Sequence, residues 1–414
     1  MFLLRPLIYK RCVYRVASLS KYHSMLTLSN VLTKLKTDYL PDWRRFCKFD
    51  AQKALKRVKQ DSKADLKSPT TPHPMAEHIF PATFVELPPH CDGERAAFYL
   101  AVEEYVASHM PEGSYLFTWQ LSPTVVMGRN QDAEAEIDLA FCKAEGIDVI
   151  RRKSGGGSIF ADRGNIMTSL VTREGAVEEL FHEYASNMAD CLNALGAEVE
   201  VSGRNDICMK GGGKICGNAF YHMAKRNIVH GTMLYDTNAH MMRGALTPER
   251  AKLMSKGVKS VESRIALLKD ALPHGIGTTE LRQSIREHLC KGSISLTEED
   301  VKRIREIESG YYAPAFLWGK TRKAEPSHHC WARIEGCGTL AIGFDTKEDK
   351  VVTVALSGDY FELGDAHAVF NNAFAGCPFT KEALAKHAAE HTPNRAIRGL
   401  GTAELCSLLE KLFE

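Results

Sequence analysis

Arg151-Arg152-Lys153-Ser154-Gly155-Gly156-Gly157-Ser158-Ile159-Phe160, closed by Asp162 and Gly164-Asn165, decides how the rest of the chain is read. Ile147, Val149 and Ile150, with only Asp148 polar among them, lead in and predict a short strand. Residues 166–171 lead out as a second apolar, extended stretch. Between them stand three consecutive glycines, and each costs roughly 1 kcal/mol of backbone entropy against alanine in a regular element. A folded chain accepts that cost where backbone approaches a ligand closely, or where successive N–H groups point into an anion site. The two arginines ahead of the turn supply matching positive charge. The plainer reading is a flexible hairpin turn flanked by solvated arginines; the arginines and Asp162 together weigh against it. The stretch points to a site for a phosphate-bearing ligand.

A second glycine-rich stretch follows. Gly203-Arg204-Asn205-Asp206-Ile207 precedes Gly211-Gly212-Gly213-Lys214-Ile215-Cys216-Gly217-Asn218-Ala219, and His230-Gly231-Thr232-Met233-Leu234 then predicts a short strand. The Gly-Lys pair invites a P-loop reading, which the sequence rejects. Ile215 stands where that motif needs Ser or Thr, and Cys208 replaces its leading glycine. Lys214 lies instead between two apolar, strand-like runs just after a glycine hinge. From there it can reach a ligand on the sheet face that carries the first glycine turn; the alternative is a lysine capping a hairpin in solvent.

Composition sets outer bounds. At 414 residues, 44% hydrophobic and 25% charged, the chain has the make-up of globular protein with room for two or three domains. A formal charge of +2 argues against a protein built to grip nucleic acid. No apolar run approaches the roughly 18 residues that cross a bilayer. The 12 cysteines form no Cys-x-x-Cys pair, so neither a disulfide framework nor a zinc site is indicated, and a reducing compartment fits best. Residues 1–36 hold no acidic residue, while Arg5, Lys10, Arg11, Arg15, Lys21, Lys34 and Lys36 are basic. That is the composition of a mitochondrial presequence, the alternative being a basic tail. Basic character persists to Lys67, and Ser68-Pro69-Thr70-Thr71-Pro72-His73-Pro74 reads as a linker.

The folded body is expected from about Ile79. A helical stripe (Ala97, Leu100, Ala101, Tyr105, Val106) is stopped by Pro111-Glu112-Gly113, and strands are expected at 115–119 and 124–128. Residues 176–195 predict a long amphipathic helix. After Pro273-His274-Gly275 come a helix at 278–290, an N-capped helix at Thr297, and a β-rich region from Tyr311 that ends in two short helices. The expected class is α+β: a mixed or antiparallel sheet flanked by helices, plus a smaller α+β unit. The expected divisions are a leader over 1–75, a catalytic domain over 76–275 and an accessory domain over 276–414.

The order of these motifs resembles the lipoate–protein ligase family. It covers most of the chain from about Phe84: the Gly128-Arg129-Asn130 corner, the 151–165 signature, 203–206, 214–219, His230-Gly231-Thr232, and 255–267. Gly358-Asp359-Tyr360-Phe361 resembles the accessory domain of the longer ligases. The resemblance implies that lipoate and ATP give lipoyl-adenylate, whose acyl group passes to a lysine of lipoyl-carrier domains. Those carriers are the acyltransferase subunits of 2-oxoacid dehydrogenases and the glycine cleavage H protein. It implies a nucleotide site at Arg152, Ser154, Gly155, Gly156, Gly157, Ser158, Ile159, Phe160, Asn205 and Lys214. Lipoate would meet Lys214, Gly156, Gly157 and His230, and Lys214 would be the catalytic residue, touching the carboxyl and the α-phosphate. A cation between two reacting anions lowers their barrier, so the local physics agrees. Asp206 is the carboxylate expected to hold Mg²⁺. Ile159-Phe160 and Val125-Val126 are expected to wall an acyl tunnel or simply to pack as core. A monomer in the mitochondrial matrix is expected. Two alternatives stay open: a lipoyltransferase fed with preformed lipoyl-adenylate, and an acyltransferase using Cys216 as nucleophile.

Overall fold

The computed structural model describes residues 79–202, 206–246, 265–319 and 326–414. The leader expected over 1–75, Asn205 and residues 255–264 of the resemblance lie outside the described residues. The strands are β1 (Ala82–Glu86), β2 (Tyr115–Trp119), β3 (Thr124–Met127), β4 (Asp148–Arg151), β5 (Ile159–Ala161), β6 (Asn165–Arg173) and β7 (Val199–Ser202). They continue with β8 (Asp206–Met209), β9 (Lys214–Met223), β10 (Arg226–Leu234), β11 (Cys290–Ser295), β12 (His328–Ile334), β13 (Gly338–Lys347) and β14 (Lys350–Gly358). Eight of them form one sheet in the order β11-β1-β2-β6-β10-β9-β8-β7. The pairs β11–β1 and β1–β2 are parallel and the rest antiparallel, so the sheet is mixed. Its middle is β6 against β10, paired in register from Asn165↔Leu234 to Arg173↔Arg226. Every residue of β10 is buried, because helices cover both faces of the sheet there.

Helix α1 (Ala96–His109) packs on one face. On the other lies α4 (Val177–Ala194), with Leu180, Phe181, Tyr184, Met188, Cys191 and Leu192 inward as the periodicity predicts. Short helices α2 (Ala133–Glu136), α3 (Leu139–Ala144) and α5 (Ala239–Ala245) surround a small sheet, β4-β3-β5, whose core holds Val125, Met127, Ile147 and Phe160. The single stripe expected on α1 is a correction: it is buried all round from Ala96 to Ala107, including Glu103 and Glu104. It is sandwiched between the sheet and α7 (Glu298–Tyr311), so no face of it meets water. The start of α7 is as read, with Thr297 and Asp300 forming a capping box.

The expected boundary after 275 does not coincide with a break in packing. Helix α6 (Thr278–Leu289) inserts Leu281, Ile285 and Leu289 into the core beneath the main sheet, and β11 extends that sheet alongside β1. Val301, Ile304 and Tyr311 of α7 complete the opposite core. Pro273-His274-Gly275 is therefore a turn within the larger unit, not its end. A separate core starts with the antiparallel β12-β13-β14 sheet, covered by α9 (Ala366–Phe374), α10 (Lys381–His391) and α11 (Thr402–Glu410); the short α8 (Pro314–Leu317) precedes it. The described residues from Ile79 to Glu414 nonetheless pack as one body, an α+β architecture as expected.

Ile285 tests the assignment of α6 to the main core, since it is fully buried there. Ile285→Ala is expected to destabilise the protein by about 2–5 kcal/mol in urea denaturation, the range for truncating a buried aliphatic side chain. A loss below about 0.5 kcal/mol, the size of an ordinary surface substitution, would place α6 outside that core.

Candidate active site

Strand β4 ends at Arg151, and the two arginines then part. Arg151 donates through Nη1 to the carbonyls of Gly128 (3.0 Å), Arg129 (3.0 Å) and Gln131 (2.7 Å), and through Nε to that of Leu317 (2.9 Å). It ties the corner after β3 to the α8 segment. Arg152 turns inward instead. Its Nε donates to Ser154 Oγ (2.8 Å), Nη1 to the Val126 carbonyl (2.9 Å), and Nη2 to the carbonyls of Gly155 (2.7 Å) and Gly157 (2.8 Å). The glycine turn is thus wrapped around a guanidinium, and burial pushes that group down to about 10 against the pull of Glu103. Behind the turn, Asp162 accepts from the backbone N–H groups of Gly164 and Asn238, both at 2.8 Å, and braces the entry to β6.

Ser154 passes the connection on. Its Oγ lies 2.7 Å from His230 Nε2, and His230 Nδ1 lies 3.0 and 3.1 Å from the two oxygens of Glu103. Since Arg152 donates to Ser154, the serine hydroxyl hydrogen is left for His230 Nε2, which leaves Nδ1–H facing Glu103. Glu103 also accepts from Ser169 Oγ (2.6 Å) and Tyr221 OH (3.3 Å), and Ser169 in turn accepts from Trp119 Nε1 (2.9 Å). A fully buried carboxylate is costly unless each lone pair finds a donor, and here donors surround it. Its neighbour Glu104 takes Lys153 Nζ (2.6 Å) and the Tyr311 hydroxyl. The relay from Arg152 to Glu103 fixes both the turn and the imidazole.

A cavity of about 300 Å³ opens beside this relay. Leu100, Trp119, Val126, Ile159 and Met167 give its apolar lining; Gly156, Gly157, Ser158, Asp206, Lys214 and Asn218 give much of the polar one. Strand alternation explains the selection: Val126 and Ile159 line the cavity, whereas Val125 and Phe160 pack into the small-sheet core. Gly156 has φ +86°, a conformation that favours glycine. A Cβ at Gly157 would meet nothing closer than Asp359 Cβ at 3.9 Å, so the space beside it belongs to the cavity. Lys214, the first residue of β9, sets its ammonium 2.8 Å from Asp206 Oδ1 and folds back over Gly217, where a Cβ would lie 2.6 Å from Nζ.

The cavity therefore brings together Arg152, Gly156, Gly157, Ser158, Ile159, Asp206, Lys214 and His230, all expected at the site. Ser154, Gly155 and Phe160, also expected at the site, do not line it. Ser154 is fully buried in the relay, Gly155 backs onto the Tyr360 carbonyl, and Phe160 is core. Arg152 borders the cavity, but its hydrogen bonds go to its own loop and to the Val126 carbonyl. The Gly156 N–H is likewise engaged, donating to the Tyr360 carbonyl at 3.1 Å. Among the described residues no group of three or more His, Cys, Asp or Glu side chains is placed to hold a metal; Asp206 is a single carboxylate beside an ammonium. Cys216 is buried at 1% exposure in the main core, its Sγ donating to Asn218 Oδ1 (3.4 Å), and burial raises its thiol to about 12. Burial and the raised thiol argue against a thiolate nucleophile there. Sequence reading missed Glu103, Trp119, Met167, Arg333, Asp359 and Phe361. Adjacent glutamates inside an apolar helix were the one available signal, for Glu103.

Residues 95–290 match the family model described as the lipoyl protein ligase A/B catalytic domain. The chain is 31% identical over 296 residues to the lipoate-protein ligase LplJ of Bacillus subtilis, across 69% of this chain and 88% of that protein. It is also 31% identical over 302 residues to lipoate–protein ligase 1 of Staphylococcus aureus, across 70% of this chain and 91% of the relative. LipL1 of P. falciparum, solved in complex with lipoate, shares the fold with a TM-score of 0.62 at 18% identity, covering 75% of this chain and 94% of that one.

The burial of Cys216 has a chemical signature. With its thiol at about 12, roughly one molecule in 10⁴ carries the thiolate at pH 8. Iodoacetamide at pH 8, followed by mass mapping, is expected to leave Cys216 unlabelled in the folded protein and to label it after denaturation. Its raised native pKa favours the folded state below the ordinary 9.0, and that preference fades as pH climbs toward 12. Rapid labelling of the folded protein at pH 8 would restore the nucleophile reading.

Proposed function

The chain belongs to the lipoate–protein ligase family, and from that premise we propose that it activates lipoate with ATP and transfers the lipoyl group to lysines of lipoyl-carrier domains. The observation that carries this reading is one cavity whose wall holds the glycine turn, the Lys214 ammonium and the apolar side chains of Leu100, Trp119, Val126, Ile159 and Met167. An aliphatic acid needs the apolar part; a nucleotide phosphate needs the glycine backbone. In the first step a lipoate carboxylate oxygen attacks the α-phosphorus and pyrophosphate leaves. In the second a carrier lysine amine attacks the acyl carbonyl, the P–O–C(acyl) linkage breaks on the carbonyl side, and AMP leaves. Lys214 offsets the repulsion between carboxylate and phosphate, an effect largest as they bond. Until then Asp206 neutralises it at 2.8 Å.

Asp206 is also where Mg²⁺ fits this reading, because that ion keeps few protein ligands and takes its remaining oxygens from substrate phosphates and water. The carriers are taken to be the 2-oxoacid dehydrogenase acyltransferase subunits and the glycine cleavage H protein. The basic, acid-free stretch over residues 1–36 supports import into the mitochondrial matrix.

Pyrophosphate release from lipoate plus ATP, with no carrier present, is the experiment that decides between the full ligase and a transferase fed with preformed adenylate. The ligase releases it; the transferase does not. Lys214→Ala is expected to lower that release by about 10²-fold or more with an unchanged unfolding midpoint, since the side chain is partly exposed. Near-normal activity in the folded variant would remove Lys214 from the chemistry. For localisation, residues 1–67 fused to a fluorescent reporter are expected to direct it to mitochondria, and a cytosolic reporter would end that proposal.

A further inference from the structure

The cavity wall is not built from the main unit alone. Arg333 on β12, together with Asp359 and Phe361 just beyond β14, reaches it from the C-terminal core. The seating is close: Phe361 stacks on Phe220 of β9 with ring centres 5.6 Å apart, and the Gly358 N–H donates to the Asn130 carbonyl at 2.9 Å. Among the described residues three cationic side chains, Arg152, Lys214 and Arg333, line the cavity, and they are held very differently. Arg152 is engaged by its own loop and by the Val126 carbonyl of β3, and Lys214 sits 2.8 Å from Asp206. Arg333 is half-exposed, 3.7 Å from Asp359 Oδ2 and 3.5 Å from Thr339 Oγ1. Both distances exceed the roughly 2.7–2.9 Å of a charge-assisted hydrogen bond. Asp359, meanwhile, also accepts from the Thr339 backbone N–H.

We propose that Arg333 is a nucleotide-binding residue supplied by the C-terminal unit, and that it grips the phosphates that leave as pyrophosphate during activation. The identity of the anion rests on the ligase reading; the placement of the guanidinium does not. Its backbone is fixed by the β12–β13 ladder, where Arg333 pairs with Thr339, so the side chain projects from a rigid strand. Cys330 and Ile334 of the same strand point into the C-terminal core. A planar guanidinium fork suits phosphate oxygens better than a point charge does. Lys214 answers the α-phosphate and the carboxylate in this reading, and among the described residues Arg333 is the cavity cation held from the other unit, within reach of the β- and γ-phosphates. Asp206 and Asp359 balance Lys214 and Arg333 before ligand arrives.

The test uses the full chain with Arg333→Ala and Arg333→Lys. ATP affinity is read by calorimetry, pyrophosphate release from lipoate and ATP by a coupled assay, and transfer to a carrier domain is started from synthetic lipoyl-adenylate. Arg333→Ala is expected to weaken ATP binding about tenfold to a hundredfold, the scale of a hydrogen bond to a charged group, and to raise the KM for ATP in step. Arg333→Lys should recover part of that loss. Transfer from the adenylate, which carries no pyrophosphate, should stay within about twofold of wild type. ATP binding unchanged in Arg333→Ala, or transfer falling as far as activation does, would overturn the proposal. A wild-type chain that binds ATP, and loses it in the variant, yet releases no pyrophosphate would sink the ligase reading and leave the Arg333 contact standing. A wild-type chain that fails to bind ATP at all would sink both.

Discussion

A guanidinium enclosed by protein must find acceptors for its N–H groups or lose several kcal/mol, and Arg152 finds them in the backbone that encloses it. The constraint runs both ways. The carbonyls of Gly155 and Gly157 can converge on one nitrogen only because the turn curls tightly, and the turn keeps that curl because the nitrogen is there. The Val126 carbonyl joins them, so the register of β3 against β4 and β5 depends on the same group. Ser154 and His230 carry the connection to Glu103, which explains why α1 is packed on every side. A helix bearing a buried carboxylate is tolerated when its counter-charge is built into the neighbouring strands.

The fold was legible wherever one periodicity dominated. The 3.6-residue stripe of α4, the Thr297 cap and the run at 115–119 each lie where the sequence indicates, because local preference and tertiary burial agree there. Helix α1 was legible as a helix but not as a buried one. Its glutamates look like a wet face until the partners Ser169, Tyr221, His230 and Tyr311, all distant in sequence, are brought in. Proline and glycine punctuate internal turns and domain ends alike, so the sequence at 273–275 fits both. Only the pairing of β11 with β1, some two hundred residues apart in the chain, separates them.

The candidate site shows the same division. Glycines and a lysine were readable as chemistry because few other roles suit them at those spacings. Which member of an alternating pair faces the cavity was not readable, since that depends on which core claims the other: Val125 and Phe160 went to the small sheet, Val126 and Ile159 to the cavity. Arg152 reads as an anion ligand from its charge and from the family resemblance, and the geometry gives it acceptors in its own loop and on β3. Arg333 carried no local signal, lying in an ordinary exposed position of a strand far from the glycine turns in sequence.

The wrapping of the turn bears on how the region moves. Three glycines in a row are usually a sign of slack, and here they mark the opposite. The Arg152 N–H is held by the Met127 carbonyl, the Arg129 N–H by the Ser154 carbonyl, and the Gly156 N–H by the Tyr360 carbonyl, with a guanidinium locking the interior. Opening this segment means exposing a buried ion, so its amide hydrogens should exchange with solvent only through the rare excursions that loosen the surrounding core. The ordering entropy is then settled once, as the protein folds, and does not recur with each ligand that arrives.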